Sequence, residues 1–213
     1  MQTLARIAAT VAALLMLVGA DTHAQRRRSA ARKPPAPKSK IEPANVKCPE
    51  SLGTGIRTAA QYCFVLAGRD PAQGVLVSLP AHTGPATLLF DLHNRHTYSA
   101  EEVKAGRGYA RYLAVIGVLT LKGDLIGRAA VQSEFRQAAD LHERIGGGAG
   151  PSGLKAVAPI GREQLAITIP AGVNEVSLLG EVLDATTTVG REVATPGRPV
   201  AIISSVRIEY RPK

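Results

Sequence analysis

The side chains best suited to chemistry are concentrated in residues 84–98, GPATLLFDLHNRHTY, which carry Asp91, His93, Arg95 and His96. One carboxylate and two imidazoles form a donor set suited to zinc or a similar ion, and such an ion would serve a metal-dependent hydrolase. The stretch reads as a buried strand, in which successive side chains point to opposite faces. Leu88, Phe90 and Leu92 then face a core, while Asp91, His93 and Arg95 share the other face with Thr87 and Leu89. His96 falls on the opposite side from Asp91 and His93. A metal site at Asp91, His93 and His96 therefore requires the chain to turn, with His82 or His142 as an added donor. This spacing matches no established zinc motif, and the simpler expectation is a polar strand end in which Asp91 pairs with Arg95.

Other catalytic signatures are missing from the sequence. There is no G-x-S-x-G elbow and no H-E-x-x-H helix. Glu101 and Glu102 are adjacent and diverge on a helix. Gly148-Ala-Gly150-Pro-Ser-Gly153 matches G-x-G-x-x-G, but Pro151 interrupts it and a strand-like run follows, so it reads as a loop. The expectation is a non-enzymatic protein without a cofactor. Binding has one aromatic candidate in a chain that lacks Trp: Tyr98, Tyr109 and Tyr112 would offer a small stacking platform, with Asp91, His93 and Arg95 as neighbouring polar groups.

These residues need a scaffold, and the pattern after Cys48 is one of short apolar runs punctuated by Gly and Pro. Strands are expected at 57–66, 75–80, 86–93, 111–121, 125–136, 154–159, 164–169, 175–184 and 200–210. Alternation such as Leu165, Ile167, Ile169 suits antiparallel sheets with one solvated face. Lys122-Gly123-Asp124 closes a hairpin between an all-apolar strand, which belongs in the middle of a sheet, and an alternating one. Helix is confined to a turn or two after the capping box Ser99-Ala-Glu-Glu102, stopped at Gly106, and to a short segment over 137–145. The fold class is all-β, an antiparallel β-sandwich of about nine strands in one domain, 48–213. The order of strands, with an apolar strand closing the chain after a Pro-Gly-rich loop, resembles jelly-roll modules of the galactose-binding kind.

The first 24 residues read as a signal peptide: Arg6, an uncharged apolar run over 7–20, then small residues up to Ala24. Residues 25–47 read as a disordered basic linker in which Arg26, Arg27, Arg28, Arg32, Lys33, Lys38 and Lys40 would tether the chain to an anionic membrane surface or an acidic envelope polymer. Cys48 and Cys63 are expected to pair in an oxidising compartment, periplasmic or extracellular. Of the 26 basic and 17 acidic residues, nine and two lie before Cys48, so the remainder has a net charge of only +2 and nothing in bulk that favours nucleic acid. No later run is long enough to span a membrane. The expected role is a binding or structural module of the cell envelope that recognises glycan or an anionic surface. An alternative is a protein-interaction module that uses its sheet edges.

Overall fold

The computed structural model describes residues 38–149, 155–159 and 163–213. In chain order the elements are β1 (Lys40–Pro43), β2 (Asn45–Lys47), β3 (Ser51–Gly55), β4 (Gln61–Leu66), β5 (Val75–Ser78), β6 (Ala86–Asn94), β7 (His96–Tyr98), α1 (Ala100–Lys104), β8 (Ala110–Thr120), β9 (Leu125–Phe135), β10 (Leu141–Ala149), β11 (Lys155–Pro159), β12 (Glu163–Ile169), β13 (Glu175–Thr187), β14 (Gly190–Val193) and β15 (Pro199–Tyr210).

Four antiparallel pairings define the architecture. β4 pairs with β15, β5 with β13, β6 with β12, and β8 with β9. The first long strand thus meets the last, the second the next to last, and so on inward, as in one long hairpin folded over on itself. Folding it produces the orders β12-β6-β15-β4 in one sheet and β5-β13-β8-β9 in the other. This is the double Greek key of a jelly roll. The core lies between the two inner faces. Val65, Leu88, Phe90, Leu92, Ile203 and Ile208 on one sheet pack against Val77, Ile116, Val118, Val131, Val176 and Leu178 on the other. β8, apolar on both faces, sits between β13 and β9 in the middle of its sheet.

A smaller core lies on the back of the first sheet. That sheet runs on through β3, β10 and β11 to β7, and β7 follows β6 after Arg95 alone, so the sheet curls until its far end returns beside β6, near its other end. Leu52, Tyr62, Ile145, Ala158 and Ile202 fill the curl.

Three sequence expectations are corrected. Residues 40–47 form β1 and β2 instead of linker: β1 pairs with β15 and β2 with β5, so this segment straps the two sheets together ahead of Cys48. Its polar alternation hid an edge role that depends on partners far along the chain. Residues 137–145 are a 3-10 turn at Ala138–Asp140, capped at its start by the Asp140 carboxylate, which accepts the N–H groups of Arg136 and Gln137; the chain is extended from Leu141 on, where β10 pairs with β3 and β11. Residues 57–60 form a turn, with Ala59 at φ 55°, and the strand begins at Gln61. The capped helix forms as one turn, with the Ser99 hydroxyl accepting from Glu102 N–H and Gly106 left-handed beyond its end. The expected signal peptide and most of the expected basic linker, Arg26 to Lys33 included, lie outside the described residues, as do residues 150–154 of the glycine loop.

Candidate functional site

Alternation on β6 holds: Leu88, Phe90 and Leu92 enter the main core, and Asp91 and His93 lie on the other face. That face is not solvated, however, because the curl of the sheet covers it, and Asp91 is 2% and His93 0% exposed. A buried imidazole must be hydrogen-bonded. His93 Nε2 lies 2.9 Å from Ser204 Oγ on the neighbouring β15. Its ring stacks on His142 of β10 at 5.0 Å between centroids and approaches Tyr62 at 5.6 Å. The Ser204–His93 contact has no local signature, since it joins residues 111 apart in the chain. A hydroxyl beside an imidazole is half of a nucleophile–base pair. Here both residues are buried, and the contact gives the ring a hydrogen-bond partner.

His96 goes the other way. It enters the space between the sheets, 4.1 Å from Phe135 by ring centroid, with Nδ1 2.9 Å from the Tyr112 hydroxyl. Burial, with a smaller push from the Arg95 charge, lowers the His96 pKa to about 4. Burial also raises Tyr112 to about 12, Arg95 lowering it and Glu192 raising it by lesser amounts. Both groups are therefore neutral at neutral pH. Asp91, His93 and His96 do not converge, and among the described residues no group of three or more His, Cys, Asp or Glu is placed to hold a metal ion. Arg95 pairs with Glu192 of β14.

The tyrosine platform is likewise not assembled. Tyr112 is a core residue, 7% exposed. Tyr98 stands edge-on to Phe135 with the Arg144 guanidinium over its ring, and Tyr109 lies beneath Arg136. Cys48 and Cys63 are disulfide-bonded, their Cα atoms 5.5 Å apart. Lys40, proposed for the tether, is ion-paired with Glu42 within β1.

The strongest candidate site lies elsewhere, where the chain leaving β4 of one sheet is bridged to β13 of the other. Ala67, just past β4, forms a parallel bridge to Gly180 of β13, and Gly68 N–H reaches Gly180 O at 3.4 Å. Gly180 is required there: a Cβ would come within 2.6 Å of Val200. A β-bulge follows at once, between Gly180 and Val182, and re-aims Glu181 outward. Around this junction a cleft of about 500 Å³ opens, floored by Gly68 and Gly180, with Arg69 and Glu181 as its charged walls and Leu119, Leu179 and Pro196 as its apolar ones. Glu181 is held at 2.6 Å by Arg128 from β9. Arg69 is exposed and has no ion-pair partner among the described residues. None of these residues stood out in the sequence, because a site built from a loop, a bulge and a hairpin leaves no local spacing.

A second cavity, about 470 Å³, runs between the β1–β2 strap and β15 beside the disulfide, lined by apolar groups with Gln61 and Ser205. Among the described residues no helix is long and apolar enough to cross a membrane. No protein-family model matches the chain, and no curated protein matches it.

Proposed function

We propose that this protein is a non-enzymatic binding module of the cell envelope, and that it takes an acidic saccharide in the cleft at the Ala67–Gly180 junction. The observation that carries the reading is the Arg69–Glu181 pairing of roles across a glycine floor. A guanidinium without an ion-pair partner is a fork-shaped donor that matches a carboxylate in two hydrogen bonds. A carboxylate already oriented by Arg128 accepts from ring hydroxyls. Gly68 and Gly180 let a sugar ring approach the backbone, and Leu119, Leu179 and Pro196 offer apolar surface to its C–H face. The volume lies in the range of small-ligand pockets. Placement agrees with the general rule that binding residues sit on loops held by a rigid scaffold.

The disulfide fits an oxidising compartment, and the basic residues between Arg26 and Lys40 would concentrate the protein on the same kind of anionic polymer. The reading is tested on an array of neutral and uronic-acid-containing oligosaccharides. Binding to acidic members is expected, lost in Arg69→Ala and weakened in Glu181→Gln, with unchanged thermal unfolding in both. Equal binding by the Arg69→Ala protein, or no acidic ligand at all, would contradict it.

A further inference from the structure

We propose that two copies of this chain associate through β9, edge to edge and antiparallel, extending the smaller sheet across a two-fold axis at Val131. β9 is the outermost strand of its sheet: one edge is hydrogen-bonded to β8, and among the described residues no strand pairs with the other. An open edge presents a row of backbone donors and acceptors that pairs with another strand unless something prevents it. Of the usual deterrents, proline, lysine and a bulge in mid-strand are lacking here, and the two charged side chains, Arg128 and Glu134, are opposite in sign. Residues 125–135 contain neither Pro nor Lys. The strand's one irregularity, at Ile126, lies at its beginning, and the ladder from Gly127 to Phe135 is unbroken.

The side chains select the occupant. Val131 is the midpoint of that unbroken ladder. An antiparallel copy centred there sets residue 127 against 135, 128 against 134, 129 against 133 and 130 against 132. Cross-strand partners share a face, so the outward residues Arg128, Ala130, Gln132 and Glu134, all exposed, meet one another. Each Arg128 then faces the partner copy's Glu134, twice across the axis, and the small Ala130 sits against Gln132. Within one chain Arg128 is paired with Glu181 and Glu134 with Arg136. Association joins these into an alternating row, Glu181, Arg128, Glu134, Arg136, running from one copy to the next. Opposite charges directly across a strand pair favour it and like charges oppose it. A strand of another sequence gains the same backbone bonds but not this self-complementary charge pattern, so a second copy is the favoured occupant.

The test uses two charge reversals, Arg128→Glu and Glu134→Arg, in the purified protein. Sedimentation velocity is expected to show the parent as a concentration-dependent dimer and each variant weakened by roughly tenfold or more, since two attractive pairs become repulsive. Mixing the variants is expected to restore association as a heterodimer, because every cross-strand pair is then opposite in sign. A parent that stays monomeric as concentration rises, or variants that dimerise like the parent, overturns the proposal. Hydrogen exchange on the parent provides a check that does not depend on variant folding: amides of 127–135 are expected to gain protection as concentration rises, and identical exchange at low and high concentration overturns it.

Discussion

His96 shows how a single ring can set the acid limit of a fold. Its imidazole is wedged between Phe135 and the Tyr112 hydroxyl, and burial with the nearby Arg95 charge lowers its pKa to about 4. In the unfolded chain the same ring takes up its proton near 6.5. Between those values the unfolded state binds more protons, so the His96 contribution is intact above about 6.5 and is lost progressively as pH falls toward about 4. Urea midpoints measured across this window are expected to fall with acid in the parent and to fall less steeply in His96→Gln; parallel curves would contradict the assignment. Glu143 is the other residue of this kind. Burial pushes its pKa up, but the Thr58 backbone and hydroxyl, with the N–H groups of Arg57 and Arg144, outweigh that and hold it below the usual carboxylate range. Its stabilisation is therefore present above that range and lost as pH falls through the lowered value. Glu143→Gln, which turns one acceptor into a donor facing those N–H groups, is expected to cost about 1–3 kcal/mol by chemical denaturation. The alternation of β6 already placed His96 opposite Asp91 and His93. What it did not reveal is that both sides are covered, because β10 and β11 are brought over the outer face by pairings distant in sequence.

At the level of elements, the strands were legible wherever the apolar period is two or the run is long. Each of the nine expected strands is present, and the Lys122-Gly123-Asp124 hairpin and the Ser99-capped turn were readable from local chemistry alone. Six strands were not expected. β1, β2, β3, β7 and β14 are three to five residues long, too short to show an apolar period, and β10 begins where a 3-10 turn ends, so none carries a signal of its own. The strap formed by β1 and β2 gives the disulfide a clear task, since Cys48 follows β2 directly and Cys63 lies in β4, fastening the strap to the first long strand. With a separation of 15 residues the bond is worth about 3 kcal/mol in the chain-entropy model. Reduction, or the paired Cys48→Ser and Cys63→Ser variant, is expected to lower stability by about that amount in urea unfolding, and an unchanged midpoint would show that β1 and β2 hold without it.

For the molecule as a whole, a jelly-roll core supports two kinds of surface: a cleft where the sheets are bridged at Ala67 and Gly180, and an open sheet edge at β9. Arg128 belongs to both, since it orients Glu181 in the cleft wall and stands on the exposed face of the edge strand. The residues that looked most chemical in the sequence are spent on the interior, and the proposed binding residues are ordinary ones gathered by topology. The most direct measurement is an amide NMR titration of the isotope-labelled protein with a uronic-acid oligosaccharide. Saturable shifts at Gly68, Arg69, Gly180 and Glu181, absent in Arg69→Ala, are the expected result. Shifts confined to other parts of the fold, or none at saturating ligand, would contradict the account.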